Sequence, residues 1–216
     1  SPTANWIRSE SSHIVVVFEH ALGEPVNFVE WKWLTDHSHV RGIGRWLAKF
    51  HTLSKQFVKE HPDLYEKARN WTELHDGILA EVPIQKEDLE TVSDPEHFGL
   101  IHGDVNVSNY YWNAETGLPH MFDWDQLQKG WFLYDLSSPI WTVITVQQGG
   151  NPIDKSPVPQ ADVHQFTDWL VSGYEEELNA KGKVDREALQ RMVGLRRQLY
   201  KRFCSRAIHE LPEDNP

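Results

Sequence analysis

One stretch of the chain, residues 100–109, constrains the fold more than any other because polar groups follow an apolar run at a fixed spacing. It reads Leu-Ile-His-Gly-Asp-Val-Asn-Val-Ser-Asn, so Asp104 and Asn109 stand five residues apart. A second acidic run, Met-Phe-Asp-Trp-Asp, occupies residues 121–125. The residues between the two runs predict a strand, a turn of small and polar residues, and a second strand. The chain therefore has to form a hairpin with polar loops at its open end.

The position of the turn decides which residues of this hairpin face each other. A turn centred in residues 114–117 places Asn109 opposite Phe122. It also brings Asp123 to the same open end, where opposed Cα atoms lie roughly 4.5–5.5 Å apart. Asp104 lies in the loop that leads into the first strand. Two carboxylates and one amide oxygen at one hairpin mouth form an all-oxygen site, which hard ions such as Mg²⁺ prefer, usually with phosphate oxygens in the shell.

Composition excludes several classes of protein. Lys and Arg total 21 against 32 for Asp and Glu, which gives a net charge of −11 with neutral histidines. A nucleic-acid binder is more often basic. The single Cys204 excludes an intramolecular disulfide and a zinc site built on a cysteine pair. No apolar run approaches the ~18 residues of a membrane helix, and no signal peptide is recognisable. We therefore expect a cytoplasmic protein without nucleic-acid or membrane partners.

The order of these motifs resembles a known superfamily. His-Gly-Asp, an Asn five residues after the Asp, and a further Asp after a hydrophobic strand are similar to the aminoglycoside phosphotransferase and choline-kinase-like superfamily, which shares the protein-kinase fold. Residues 130–136, Gly-Trp-Phe-Leu-Tyr-Asp-Leu, resemble a run in bacterial relatives of the stress-response Ser/Thr kinase and of homoserine kinase. The resemblance implies a mostly helical α+β chain: the C-terminal (large) lobe of a protein-kinase-like fold with a short catalytic β-hairpin.

The resemblance also assigns roles to individual residues. Asp104 matches the catalytic base, and Asn109 and Asp123 match the two metal ligands. His102 and Asp135 match residues that brace the catalytic loop rather than react. Mg²⁺ as cofactor, ATP as co-substrate and a hydroxyl-bearing acceptor follow from the same resemblance. The sequence leaves the acceptor open among a small amino alcohol, an aminoglycoside-like sugar and a protein Ser/Thr.

Two local features of the site remain open in the sequence. Asp125 either supports the metal site or lies at a solvated strand end. The superfamily usually has His-Pro-Gly before the Asn, whereas this chain has Asn106, Val107 and Ser108. Because the small, turn-forming glycine is replaced, the sequence leaves the detailed shape of this loop open.

The N-terminal region predicts the end of a small lobe. Residues 13–18 are apolar and mainly β-branched, which indicates a buried strand, and residues 19–25 break it as a hinge would. By resemblance, the hinge residues that bind nucleotide are Phe18, Glu19, His20 and Ala21. We predict two parts: residues 1–24, with the last strand or strands of the small lobe and the hinge, and residues 25–216, a helical large lobe with the catalytic loop and metal-binding hairpin.

Helical spacing of apolar residues predicts the rest of the large lobe. A first helix is capped by Thr35 or Asp36, and others are expected at 71–79, at 136–146, from 163 to near Gly182 and after Asp185. The basic residues of the last helix are expected on a solvated face: Arg186, Arg191, Arg196, Arg197, Lys201, Arg202 and Arg206.

A kinase of this superfamily also has a small lobe with a Gly-rich phosphate-covering loop and a strand lysine. Here the first lysine is Lys32, beyond the hinge, and no Gly-rich loop precedes it. We expect either the large lobe of a longer protein or a natural truncation, inactive by itself, with strand 13–18 unpaired and able to mediate self-association. Two functions stay open: an ATP-dependent phosphotransferase that transfers the γ-phosphoryl group to a hydroxyl, and a non-catalytic kinase-like binding module.

Overall fold

The computed structural model describes residues 5–8, 14–17, 19–75, 84–151, 156–178 and 183–210. The strands are β1 (Asn5–Arg8), β2 (Ile14–Val17), β3 (Glu24–Pro25), β4 (Phe98–Ile101), β5 (Tyr110–Asn113), β6 (Leu118–Met121) and β7 (Gln128–Trp131). The α-helices are α1 (Lys32–Thr35), α2 (His37–Glu60), α3 (Pro62–Lys67), α4 (Trp71–Leu74), α5 (Lys86–Glu90), α6 (Phe132–Gly149), α7 (Val163–Glu177) and α8 (Arg186–Glu210). Short 3₁₀ helices lie at Thr91–Ser93 and Trp124–Gln126. The mostly helical α+β architecture confirms the predicted fold class.

The strands form three small antiparallel sheets: β1 with β2, β3 with β5 and β6, and β4 with β7. The predicted hairpin is β5–β6, and its register is the predicted one. Tyr110 pairs with Met121, and the Phe122 N–H donates to the Asn109 carbonyl oxygen at 2.9 Å. Gly117 closes the loop with φ 63°, a backbone conformation that glycine adopts without steric cost.

The strand predicted at residues 13–18 is observed at Ile14–Val17, while His13 and Phe18 lie outside the described residues. The prediction that this strand lacks a partner is wrong, because it pairs antiparallel with β1 from Asn5 opposite Val17 to Arg8 opposite Ile14. Sequence reasoning missed β1 because it has only two adjacent apolar residues, too few to show a strand period. The basis for self-association through an unpaired strand is thereby removed.

Two apolar clusters hold the described part together. The larger one packs α2 against α6 and α7, and the smaller one lies between β4, β7, α6 and α8. Helices α2 and α7 approach closely at two glycines. A Cβ on Gly44 would overlap the Leu170 carbonyl oxygen, and a Cβ on Gly173 would overlap that of Arg41. Glycine at both positions therefore sets the distance between the helices.

The helix starts predicted at acidic caps are confirmed. The Asp36 carboxylate accepts from the His39 N–H at 2.9 Å, and α2 follows. Asp185 caps α8 in the same way, accepting from the Ala188 N–H at 3.0 Å. These side chains satisfy backbone N–H groups that have no partner within the helix.

Other boundaries differ from the predicted ones. Helix α6 begins at Phe132, about one turn before the predicted start, so that Asp135 lies in its first turn. Of the helix predicted at 71–79, the structure describes Trp71–Leu74 as helical, and positions from 76 on lie outside the described residues. Helix α7 ends at Glu177. Within the described ranges, no helix is both long and apolar enough to cross a membrane.

Candidate active site

The loop between β4 and β5 is anchored by one buried carboxylate. Asp135, fully buried in the first turn of α6, accepts from the His102 N–H at 3.0 Å and from the Gly103 N–H at 2.9 Å. The two oxygens of one side chain therefore fix two successive backbone groups. Asp135 thus contacts the backbone of the loop directly, and its bracing role in the active site stays a prediction.

A buried histidine completes the surroundings of this carboxylate. His51 of α2 lies with Nε2 3.2 Å from Asp135 Oδ2, and its Nδ1 lies 2.9 Å from the Tyr174 hydroxyl. Burial raises the pKa of Asp135, but the hydrogen bond from His51 and its other partners outweigh burial, so the net pKa lies below its usual range. Burial lowers the pKa of His51 and raises that of Tyr174. The neutral imidazole thus donates from Nε2 to an ionised Asp135 and accepts from Tyr174.

The His102 side chain joins the two polar loops. It is fully buried, its Nε2 lies 3.0 Å from the Phe122 carbonyl oxygen, and its Nδ1 accepts from the Asp104 N–H at 3.3 Å. The Trp124 ring packs against the imidazole with centroids 4.5 Å apart. One imidazole therefore contacts the residues on both sides of Asp123 and the backbone of Asp104.

The structure brings Asp104 and Asn109 into direct contact. The buried Asn109 amide donates from Nδ2 to the Asp104 carbonyl oxygen and to Asp104 Oδ2, each at 2.9 Å. Its Oδ1 accepts from the Ser108 hydroxyl at 3.2 Å. Because a carbonyl oxygen has two lone pairs, Oδ1 retains one for a cation.

The loop forms its turn without the family's usual glycine. Asn106 Oδ1 accepts from the Ser108 N–H at 2.8 Å, and the Asn106 carbonyl oxygen accepts from the Asn109 N–H at 3.1 Å. Asparagine commonly closes such turns by bonding the backbone two residues ahead. The substituted residues therefore retain a tight turn and supply its hydrogen bonds from a side chain.

Asp123 adopts an unusual backbone conformation. It is exposed and has φ 62° and ψ 66°, in the left-handed region, which costs a non-glycine residue roughly 1–2 kcal/mol. The hydrogen bond of Phe122 to the hairpin and the 3₁₀ helix at Trp124–Gln126 flank it. Asp125 is exposed, and its carbonyl oxygen, rather than its carboxylate, accepts from Arg69.

The donor set fits a hard cation. In the described ranges, no three His, Cys, Asp or Glu side chains are grouped in a way that could hold a metal. A divalent ion here would therefore depend on the Asp123 carboxylate and the Asn109 amide oxygen, with phosphate and water oxygens completing its shell. Mg²⁺ and Ca²⁺ are bound by such oxygen sets.

The segment predicted as a hinge runs along the outer face of the hairpin. Glu19 and His20 are exposed, and the His20 ring lies 5.5 Å from the Tyr111 ring. The Leu22 N–H donates to His120 Nδ1 at 2.9 Å, which ties the segment to β6. Of the predicted hinge residues, Phe18 lies outside the described part of the chain.

Comparison with known protein families agrees with this geometry. Residues 28–172, more than half of the chain, match the family described as the phosphotransferase enzyme family. The chain belongs to this family. The match includes the catalytic loop, the hairpin and α6, and it confirms the resemblance inferred from the sequence.

The individual proteins that this chain resembles are phosphotransferases of low sequence identity to it. The chain is 24% identical over 179 residues to amicoumacin kinase of Bacillus subtilis (strain 168), covering 77% of this chain and 49% of that protein. It thus spans about half the length of this curated relative. Among solved structures, an amicoumacin kinase, hAmiN, in complex with AMP-PNP, Ca²⁺ and Ami superposes with a TM-score of 0.62 at 19% identity, covering 92% of this chain and 62% of that one. Macrolide 2'-phosphotransferase MphH from Brachybacterium faecium superposes with a TM-score of 0.51 at 17% identity, covering 98% and 74%. These structures establish a shared fold.

Two buried residues that contact the surroundings of the candidate site were missed in the sequence. His51 was not singled out, and Arg196 was expected on a solvated face of α8. The structure contradicts that expectation, since Arg196 is buried with only 9% of its surface exposed. Its spacing from Met192 and Leu199 on the apolar side of α8 is the signal that could have identified it.

Proposed function

We propose that this chain carries the phosphoryl-transfer site of an ATP-dependent phosphotransferase that acts on a hydroxyl group of a small molecule. The observation that carries the proposal is the contact of the Asn109 amide with Asp104. This contact supports a base at Asp104 next to a cation ligand at Asn109. Asn109 also precedes the first strand of the hairpin, whose second strand leads to Asp123. Phosphoryl transfer depends mainly on such positioning and on electrostatic stabilisation.

Asp104 acts on the acceptor. Its Oδ2 accepts from Asn109, and its Oδ1 is the oxygen that we assign to the acceptor hydroxyl. During transfer the acceptor oxygen bonds to the γ-phosphorus, the bond from that phosphorus to the bridging oxygen of ADP breaks, and the hydroxyl proton passes to Asp104. ADP and the phosphorylated alcohol are the products.

Asn109 and Asp123 hold the divalent cation, which we propose is Mg²⁺. When bound, the ion neutralises charge on the phosphate oxygens. The solved amicoumacin kinase complex contains AMP-PNP and Ca²⁺, which supports a nucleotide and a divalent cation for this family. The left-handed backbone at Asp123 further supports a functional role, since strained residues cluster at functional sites.

The outer face of the hairpin provides an apolar surface for the nucleobase. The Tyr111 and Phe122 rings lie 5.2 Å apart, and His20 of the hinge segment packs against Tyr111. Tyr111 lies in β5, two residues after Asn109, and Phe122 immediately precedes Asp123. A purine that stacks here would therefore direct its phosphates toward Asn109 and Asp123, the proposed cation ligands.

The names of the relatives support a small-molecule acceptor over a protein Ser/Thr. Amicoumacin kinase and macrolide 2'-phosphotransferase are named for small acceptors. The alternative of a non-catalytic module has a distinct signature: cation-dependent nucleotide binding without transfer to any acceptor.

The test uses an active protein that contains this chain, because the 216 residues alone are expected to be inactive. It measures transfer of labelled γ-phosphate from ATP to a panel of hydroxyl-bearing antibiotics and amino alcohols. Asp104→Ala should reduce transfer by roughly 10²–10⁴-fold, as for the loss of a positioned base, while nucleotide binding persists. Asp125→Ala, an exposed carboxylate nearby, is the matched control and should retain activity. Equal transfer by the Asp104→Ala variant would contradict the proposal.

A further inference from the structure

Arg196 is a buried cation whose Nε and Nη2 atoms donate to the start of the catalytic loop and of α6. Its Nη2 donates to the Gly103 carbonyl oxygen at 3.1 Å and to the Tyr134 carbonyl oxygen at 2.9 Å. Its Nε donates to the Ser137 hydroxyl at 2.9 Å, and the guanidinium lies 3.8 Å from the centre of the Tyr134 ring. Helix α8 thus reaches the catalytic loop through one side chain.

These contacts fix the peptide group that precedes Asp104. The oxygen of the Gly103–Asp104 peptide accepts from Arg196, and its N–H donates to His102 Nδ1 at 3.3 Å. With both ends held, the peptide plane cannot rotate without breaking one of the two hydrogen bonds. Rotation of this plane would redirect the Asp104 side chain.

Stability alone is a poor explanation for a cation at this position. In the described part of the chain, no ion pair includes Arg196, and its acceptors are neutral oxygens. Removing a cation from water is costly even when it is hydrogen-bonded, and an apolar side chain of similar size often stabilises a protein core as well. The planar guanidinium does offer several donors in a fixed arrangement, which a lysine cannot reproduce.

We propose that Arg196 is a positioning residue, which sets the orientation of the Asp104 carboxylate through the carbonyl oxygen of Gly103. The inference rests on the proposed function of Asp104 as the base. It adds a requirement that the family resemblance did not supply: the last helix must be docked for the catalytic loop to be correctly oriented.

The first test needs no catalytic activity. In the 216-residue chain, the amide signal and hydrogen exchange of Asp104 are measured by NMR in Arg196→Met and in Arg197→Met. Arg197 is the next residue of α8 and is exposed, so it is a matched control. We expect faster exchange and a shifted signal at Asp104 in Arg196→Met only. An unchanged Asp104 amide in a folded Arg196→Met variant would overturn the proposal.

The second test separates positioning from stability in the active protein. Well below the unfolding temperature, Arg196→Met should lower kcat by about 10–100-fold, as expected for a misplaced group, with KM for ATP nearly unchanged. Arg197→Met should leave both constants unchanged. A lower unfolding temperature with unchanged kcat would show a structural role only, and the proposal would fail. If no variant or parent transfers phosphate, the proposed function fails while the NMR result still decides the orientation.

If Arg196→Met does not fold, two less disruptive variants allow the same measurement. Arg196→Lys keeps the positive charge but lacks the planar guanidinium with its several N–H donors. Ser137→Ala removes one acceptor of the guanidinium. Each should accelerate exchange at Asp104, with a smaller effect for Ser137→Ala. Exchange at the parent rate in both folded variants would reject the role of Arg196.

Discussion

Asn109 donates hydrogen bonds to the backbone carbonyl oxygen and to the carboxylate of Asp104, both at 2.9 Å. The amide nitrogen therefore orients the candidate base, while the amide oxygen accepts from the Ser108 hydroxyl and keeps a second lone pair. An amide is the one small side chain that can do both, because it presents a donor and an acceptor on a single planar group.

Replacement of Asn109 by Asp should remove this orientation. The new carboxylate would face Asp104 without a donor between them, and repulsion raises the pKa of one member of such a pair. We expect at least about a 10²-fold loss of phosphoryl transfer, with the pH–rate profile shifted to higher pH. Asn113→Asp, at the other end of β5, is the control. There an oxygen acceptor is retained for the Glu115 and Thr116 N–H groups, so activity should persist.

Asp123→Gly should separate ion binding from stability. Glycine tolerates the left-handed backbone of position 123, so stability should not fall, whereas the carboxylate is lost. Cation-dependent binding of a fluorescent ATP analogue, titrated with Mg²⁺, should disappear in Asp123→Gly. The same titration of Asp125→Ala should resemble that of the parent, and Mg²⁺-dependent binding by Asp123→Gly would exclude Asp123 as a ligand.

Alanine should have opposite effects at two glycines, one at the close crossing of α2 and α7 and one in α8. Gly173→Ala places a methyl group against the Arg41 carbonyl oxygen and should destabilise the fold by about 1–3 kcal/mol. Gly194→Ala, in α8, meets no atom within 4 Å and should stabilise it by roughly 0.5–1 kcal/mol. Urea unfolding measures both, and a stabilised Gly173→Ala would show that the helices are not in contact there.

Stability should decrease as the pH falls below about 6.5, partly because of His51. Burial lowers the pKa of His51 from its usual 6.5, so the unfolded state binds a proton that the folded state does not. Burial also lowers the pKa of His39 to about 4, which adds to the same slope. His51→Gln keeps a donor for Asp135 and removes one titrating group, so the slope of unfolding free energy between pH 6.5 and 5 should decrease.

The exposed His164 is the control for this measurement, and His164→Gln should leave the slope in place. A steep pH dependence retained in His51→Gln would mean that the imidazole is not the group that titrates. The pKa of Asp135 is shifted in the same direction as that of His51, and its contribution follows at lower pH. Its lowered pKa stabilises the fold above the usual carboxyl range, and that stabilisation is lost in more acidic solution.

The hairpin could be predicted in detail because its information is local. The turn residues at 114–117 predicted its register, and the spacing of Asp104, Asn109 and Asp123 predicted a candidate site at its open end. The roles assigned to these residues remain predictions. The strand β1 was missed because a short strand without alternation has no recognisable period.

The side chains that hold the catalytic loop could not be predicted, because their contacts join elements that are far apart in the sequence. His51 and Asp135 lie 84 residues apart, and Gly103 and Arg196 lie 93 residues apart. A helical period places His51 and Arg196 on buried faces, but it does not say which polar group each meets. That information arises only from the docking of α2, α6 and α8.

The same separations order the events of folding. A hairpin such as β5–β6 can close in ~1–10 μs because its strands are neighbours in the chain. The contact of Arg196 with Gly103 closes a separation of 93 residues, which costs more loop-closure entropy, so we expect it to form after the hairpin. During synthesis, Gly103 also leaves the ribosome well before Arg196. A nascent chain therefore carries Asp104 without the geometry to use it.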